Sequence, residues 1–583
     1  MILQSLVDLA AREGLVEDPS YQQADVSFAI VLDGDGGFVQ LMDLRQTNDR
    51  KKQVPKKLSI PKRAKGTSND KEEFLVHKSE YVLGAEPDGK RAHERLTNRL
   101  SLFRSAIVRA YDRTSQLELN AVLGFLDSAD ERNRCIQQAE AFKYKSNDLF
   151  CFEVDDEYVH DLPAVKEYWS VVSGPPAGGD LQQCVLCGRP GVPVRLHAQF
   201  KLAGGGTTSV ALISFNQKAF LSYGWSGNQN APVCQKCADS YSTALRRSLD
   251  TSYPNPANPD VPLPRQSVVL SKNLTAVYWT DSPSAELLEN VGSINDYSDD
   301  DARYLTAQLQ SPWKGSLSGS AEGRFYCLFL QGAEGRATLR DWQTQDVRNV
   351  QDNLRCWFEE INVLGERPRP LRSLLDSLAV KPKEGYKLPE RFIRALFLAA
   401  VFGRELPLAV LAAAVERNKS KKTVSAERAG LLQAYFIRNT KRRTYMALDE
   451  SATATTAYRL GRLLAVLQAQ QARVNPKLNK NITDRFFTSM STRPASVFPS
   501  LMALGRTHTR SLKEKDHGYF DGKIAEILDG VKPVPNTFRL ADQGEFALGY
   551  YHQRYSDMNR VKAKSSEAEG SESSNEGGND DAE

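Results

Sequence analysis

Long apolar runs are what this sequence most lacks. The two longest, Ala395–Phe402 and Leu408–Val415, have eight residues each, and Gly403-Arg404-Glu405 and Pro407 keep them apart. A helix crossing a bilayer needs about 20 apolar residues, so no membrane span is expected. The start, Met1-Ile2-Leu3-Gln4-Ser5-Leu6-Val7, lacks the basic n-region of an export signal. Leu3, Leu6, Val7 and Ala10 follow a helical stripe instead. A cytoplasmic protein is the expectation.

Catalytic constellations are also missing. Seven histidines are scattered along the 583 residues. His93-Glu94 has no second histidine at metalloprotease spacing, and no His-x-Glu precedes a cysteine pair as in a zinc deaminase. Gly204-Gly205-Gly206 is not followed by Gly-Lys-Ser/Thr, so it is a flexible hairpin and not a phosphate loop. There is no Gly-x-Ser-x-Gly. Asp155-Asp156 and Asp299-Asp300-Asp301 lack the basic partners a nuclease site would need, and loops explain them. The chain is expected not to be an enzyme.

Cysteine is scarce, and half of it is concentrated. Cys135, Cys151, Cys327 and Cys356 are scattered, which argues against a disulfide framework. The rest form Cys184-Val185-Leu186-Cys187 and Cys234-Gln235-Lys236-Cys237. Two thiolates at this spacing turn onto one ion, and two such pairs complete a tetrahedron with no open position. A structural zinc site is expected, the alternative being unmetallated core cysteines. The 46 residues between the pairs must form structure of their own. His197 is expected to be a core or surface residue, not a fifth ligand. Before the second pair lies Tyr223-Gly224-Trp225-Ser226-Gly227-Asn228-Gln229-Asn230. Asn228, Gln229 and Asn230 could read base edges, with Trp225, Tyr223 or Phe220 as support or wedge. Asn and Gly are equally standard turn formers. The second cysteine pair would anchor this turn.

Charge of one sign is absent from two stretches. Residues 565–583 hold seven carboxylates and no base, and removing them from a net charge of +4 leaves a body of +11. A basic body suits a polyanion. Residues 50–65 hold eight bases (Arg50, Lys51, Lys52, Lys56, Lys57, Lys62, Arg63 and Lys65) and no acid. Pro55 and Pro61 keep this arm extended, a shape able to track a phosphate backbone or simply to be a solvated loop.

Periodicity places a helix at the start, a hairpin of Val26–Leu32 with Gly37–Leu44, and a strand at Tyr81-Val82-Leu83. Residues 90–145 read as mainly helical. Phe150–Val154, Thr275–Thr280 and Arg324–Leu330 read as strands. Gly332, Gly335 and Arg336 read as a turn, and the chain is largely helical from Thr344. The fold class is therefore an α+β N-terminal and central region with a zinc-binding insert, followed by an all-α C-terminal bundle. Its expected segments are an α/β region with the basic arm (1–175), a central sheet region with the cysteine pairs (176–345) and a helical region (346–445). A helical bundle (446–563) and a disordered acidic tail (564–583) complete them.

Several stretches together resemble a known family. They are Met1–Leu6 with Val26–Leu32; Lys62-Arg63 through Thr67-Ser68, Phe74-Leu75 and Tyr81-Val82-Leu83-Gly84; and Ser214-Phe215-Asn216, Ser222-Tyr223-Gly224 and Asn230-Ala231-Pro232. Gly461-Arg462-Leu463, Asn475-Pro476, Pro494–Phe498 and Phe546–Gln553 follow. In these the chain resembles the large subunit, the subtype signature protein, of the type I-C CRISPR Cascade. One departure is Ala333, where the family usually carries asparagine. The resemblance implies a non-catalytic subunit that recognises the protospacer-adjacent motif, helps open double-stranded DNA and recruits the helicase–nuclease. Its partners would be crRNA, target DNA, the Cascade backbone subunits and a separately translated small subunit. Met446, the only methionine between Met42 and Met490, is the candidate start of that product. On this reading Lys51, Lys52, Lys56, Lys57, Lys62, Arg63 and Lys65 clamp backbone, and Asn228, Gln229 and Asn230 read the motif. Arg462, Arg473, Lys477 and Lys480 line single-stranded DNA. The alternative is a stand-alone zinc-ribbon nucleic-acid-binding regulator.

Overall fold

Helix α1 (Ile2–Arg12) buries Leu6 and Ala10 of the expected stripe together with Leu9, while Leu3 and Val7 are half-buried. The computed structural model describes all residues except 1, 16–19, 48–52, 63–69, 88, 90, 174–180, 204–208, 216, 251–252, 254, 256–260, 297–321, 334–335, 365–368, 380–389, 442–446, 452, 478–480, 532 and 574–583. It divides into two units: Met1–Lys201 with Ser209–Leu263, and Leu202–Thr208 with Pro264–Glu583.

In the first unit, β1 (Tyr21–Val26), β2 (Phe28–Leu32) and β3 (Phe38–Asp43) follow α1. Strands β2 and β3 form the expected hairpin. Asp33 Oδ1 accepts the amides of Asp35 at 3.1 Å and Gly37 at 2.7 Å, closing the turn. Gly36 has φ +89°, and a Cβ there would strike the Ala121 carbonyl, so glycine is required twice over. Strand β4 (Lys56–Pro61) pairs antiparallel with β1, Val26 opposite Lys56. Strand β5 (His77–Lys78) runs directly into a helical turn. Tyr81-Val82-Leu83 is not a strand, because Ser79–Val82 is a short helix. The turn holds Glu80 inside, ion-paired to Arg91 and Arg99, which outweighs local β-propensity.

Helices α2 (His93–Thr114), α3 (Leu117–Asp127) and α4 (Ala129–Ala141) cross over to β6 (Leu149–Val154). Strand β6 lies parallel to β2, Phe28 opposite Phe150. All six β6 residues are buried, as expected of near-continuous apolar strands in parallel pairing. Helix α5 (Gln235–Leu249) packs on α1.

In the second unit, β7 (Leu274–Thr280) and β8 (Arg324–Ala333) pair antiparallel, Leu274 opposite Gln331. The sequence reading missed β9 (Arg336–Asp346), which pairs with β8 along its length, Arg324 opposite Asp346. Its run is mostly polar and carries no apolar alternation long enough to read. Helices α6 (Val347–Ile361), α7 (Glu390–Phe402), α8 (Leu408–Lys421) and α9 (Ala426–Thr440) follow. Then come α10 (Thr456–Val474), α11 (Ile482–Thr492), α12 (Pro494–Ser511), α13 (Glu514–Asp529) and α14 (Leu540–Ser573). One core runs from Ala276, Phe325 and Phe329 through Trp357 and Leu396 to Leu463, Leu467, Phe546 and Tyr550. Helices α10 and α14 meet backbone to backbone: a Cβ on Gly461 would overlap the Phe546 carbonyl, and one on Gly549 the Tyr458 carbonyl.

The fold class is thus as the sequence indicates: α+β regions with a four-cysteine insert, then an all-α bundle. No helix among the described residues is long and apolar enough to cross a membrane. Helix α14 reaches Ser573, inside the stretch read as tail from residue 564. Residues 574–583, the glycine run and Met446 lie outside the described residues.

Candidate metal centre and nucleic-acid interface

Each cysteine pair sits on a different kind of local scaffold. The first is a tight turn: the Cys184 amide donates to the Arg189 carbonyl at 2.9 Å, and the Gly188 amide to the Cys184 carbonyl at 2.9 Å. Gly188 adopts φ +71° to close it. The second opens a helix, with Cys234 as the N-cap of α5 and Cys237 in its first turn. Backbone bonds join the two: Val185 N–H to Pro232 O and Val194 N–H to Val233 O, both at 2.9 Å. The Cys234 amide points at Cys184 Sγ, 3.3 Å away.

All four sulfurs lie within 4.8 Å of one another, and Cys187 Sγ is 3.8 Å from Cys234 Sγ. Thiolates about 2.3 Å from a tetrahedral zinc ion sit about 3.8 Å apart, whereas a disulfide needs about 2.05 Å. The cluster therefore fits a metal such as zinc and leaves no coordination position open. Burial works against the Cys184 thiolate. Amides of Cys187, Cys234 and Leu186 outweigh it and lower this thiol to about 6, whereas burial and the neighbouring sulfurs raise Cys234 and Cys237, so the fit to a metal rests on the geometry of the four sulfurs. By contrast, burial alone raises Cys135 to about 12. His197 is not a ligand; it is buried with Nδ1 2.6 Å from the Tyr241 hydroxyl.

The turn before Cys234 is a single 3-10 turn, Gly227–Asn230. Its three amide side chains have different surroundings. Asn230 Nδ2 donates to the carbonyls of Phe220 at 2.9 Å and Gly227 at 3.0 Å, so this amide folds the loop. Gln229 Oε1 accepts from the Ser226 amide at 2.9 Å, a capping box that leaves the Gln229 side chain exposed. Asn228 is half-buried, its Nδ2 enclosed without a hydrogen-bond partner among the described residues. The loop also exposes 52% of Trp225 and 54% of Leu221. Ala231-Pro232-Val233 links it to the second cysteine pair, and the Pro232 and Val233 carbonyls are those bonded to the first scaffold.

Within the basic arm, Lys56–Pro61 is a strand. Leu58 and Ile60 pack toward the unit core while Lys57 and Ser59 alternate with them. Lys57 Nζ lies 2.8 Å from Asp25 and 2.9 Å from Asp250. Lys62 Nζ lies 2.7 Å from Asp239, on the helix that Cys234 caps. These two lysines therefore hold structure. Lys56 is exposed, with Nζ 5.7 Å over the Tyr158 ring. Lys51, Lys52, Arg63 and Lys65 lie outside the described residues.

In the bundle, Arg462 is fully buried. It donates to Gln553 Oε1 at 2.9 Å and pairs with Glu526 at 2.9 Å and Glu450 at 3.1 Å. It joins α10, α13 and α14 internally and does not reach solvent. Arg473 is exposed and pairs with Asp516 at 3.0 Å. Lys477 is exposed, and Lys480 lies outside the described residues. Other bases of the bundle, Arg485, Arg493, Arg506, Arg510 and Lys513, are all exposed. A signal for them exists in the sequence: residues 485–513 contain no carboxylate.

Residues 4–557 match the family model described as CRISPR-associated protein (Cas_Csd1). No curated protein matches the chain.

Proposed function

Because this chain belongs to the CRISPR-associated Cas_Csd1 family, we propose that it is the non-catalytic large subunit of a type I-C Cascade, recognising the motif beside the target. Membership of this family fits a Cascade subunit working with other Cascade components and nucleic acids. The observation that carries the finer reading is the loop at 221–230. A cysteine cluster fixes its base, Asn230 locks its shape, and it exposes Trp225 and Gln229, the latter with Oε1 held by Ser226. A rigid loop with an exposed indole and an exposed amide is suited to wedging a base step while reading a base edge. Protein would read the flanking motif and guide pairing would read the sequence. Lys56 and the exposed bases of the carboxylate-free run 485–513 supply sequence-independent grip on phosphates. Recruitment of the helicase–nuclease, and a small-subunit product starting at Met446, complete the proposal.

Affinity purification of the tagged chain from cells with its neighbouring genes is the first test. A multi-subunit particle carrying crRNA is expected; a free protein or homo-oligomer would favour the stand-alone regulator. The second test is binding to targets with randomised flanking motifs. Trp225→Ala and Gln229→Ala should lose discrimination between motifs. Equal loss for every motif would mean the loop only positions DNA.

A further inference from the structure

Away from that loop, the first unit contains a cleft of about 490 Å³ between the end of α4 and the chain around β3. Its lining includes Arg45, Gln53, Phe142, Lys143, Lys145 and Asp148. The volume lies within the range of about 300–1,000 Å³ usual for small-ligand sites. We infer that this cleft binds one nucleotide of a single-stranded nucleic acid, the base stacked on Phe142 and its phosphates on Lys143 and Lys145.

Three observations carry the inference. Phe142 is 39% exposed although its backbone is fixed. Arg45 Nη2 donates to the Phe142 carbonyl at 3.0 Å, and the Phe142 amide closes α4 on the Gln138 carbonyl at 3.1 Å. Its ring lies 6.1 Å from the buried Phe28 ring, which backs it. A rigid, half-open aromatic face is a platform that any base can stack on. Second, Lys143 and Lys145 flank the buried Tyr144, which pins their loop against Phe150. Both lysines are exposed, and neither makes an ion pair among the described residues. Lys143 also adopts φ +53°, a conformation unusual for a side chain of this kind. Third, the acids of the cleft are already occupied. Asp43 takes the Arg45 guanidinium through two bonds of 2.8 Å. Asp148 accepts Ser27 Oγ at 2.8 Å and the Lys145 amide at 2.7 Å. The groups left to meet a ligand are two ammoniums, an aromatic face and the exposed Gln53 amide. A phosphopeptide would use the lysines but leave the ring without a π partner; a nucleotide uses all of them.

The inference rests on the proposed function only for which strand enters. The full-length chain would be titrated with fluorescein-labelled 12-mers of uridine or thymidine carrying one 4-thio base, with uridine monophosphate as competitor. Phe142→Ala should weaken binding by about tenfold, and Phe142→Tyr, which keeps a ring against Phe28, should restore it. Cross-links should map to residues 141–145. Cross-linking by the RNA alone assigns the guide, by DNA a displaced strand, and displacement by monophosphate a free nucleotide; each supports the cleft. Unchanged affinity in Phe142→Ala, or cross-links only elsewhere, overturns it. A chain that still assembles with crRNA while Phe142→Ala is silent leaves the proposed function standing. A chain that never enters a crRNA particle defeats that reading without touching this one.

Discussion

The Tyr458 hydroxyl lies 2.7 Å from Nδ1 of His552, and the Asp449 amide donates to the same oxygen at 3.1 Å. The buried imidazole is thus held at Nδ1 by an equally buried phenol. Burial is the main cause that lowers this histidine to about 3, against a small opposing pull from Asp449.

Acid should weaken the bundle through this residue. From about pH 6.5, where an unfolded histidine titrates, down to about 3, the unfolded chain binds a proton that the folded chain refuses. The contribution of neutral His552 is complete above pH 6.5 and falls with pH, by roughly 3 kcal/mol at pH 4. Urea denaturation of wild type and His552→Gln at pH 7.5, 6, 5 and 4 measures it. The stability gap between the two should narrow toward acid, and a constant gap would sink the assignment.

Metal removal is the second test. The chain should purify with about one equivalent of zinc by elemental analysis. Cys187→Ser and Cys234→Ser should lower that content, while Cys135→Ser should not. Cobalt substitution should give thiolate charge-transfer bands and the visible bands of a tetrahedral ion. Chelation should lower the first melting transition, because metal binding and folding are coupled.

Glycines in the bundle should respond with opposite signs. Gly549→Ala drives a methyl into the Tyr458 carbonyl where α10 and α14 meet, and should cost about 3 kcal/mol or prevent folding, as overpacking against backbone does. Gly518, in α13, has nothing within 4 Å of its would-be Cβ. Gly518→Ala should stabilise by about 0.5–1 kcal/mol through helix propensity. Thermal denaturation of both variants checks the pair.

Adjacent lysines should separate structure from binding. Lys56→Ala should flatten the salt dependence of DNA affinity by about one counterion and leave the melting temperature alone. Lys57→Ala leaves Asp25 and Asp250 without their shared cation and should cost about 1 kcal/mol or less. Equal salt slopes for Lys56→Ala and wild type would mean that Lys56 meets no phosphate.

Much of the architecture was legible because it is local. The Asp33–Gly37 hairpin, the apolar run of β6, the stripe of α10 and the two cysteine pairs each carry their signal within a dozen residues. Strand β9 was not legible, since its polar run is extended only by pairing with β8. The same limit applies to charge. Arg462 and Lys62 read as surface bases because the carboxylates that claim them, Glu526 and Asp239, lie 64 and 177 residues away. Phe142, Lys143 and Lys145 gave no motif; their cleft exists only once the end of α4 is folded against the chain leaving β3.

Gly544 adds a consequence for a shorter product. It has room only for hydrogen: a methyl there would press on Leu411 of α8 and Phe436 of α9. Helix α14 is thus sandwiched, with α10 on one flank and α8 with α9 on the other. A polypeptide translated from residue 446 would be born with the first flank and without the second. It would start life with an unfinished edge, a greasy strip along α14 that water cannot satisfy. Whatever healed that edge, whether a twin or a neighbouring subunit, would become part of its fold, so such a product would share helices with the full chain and keep different company.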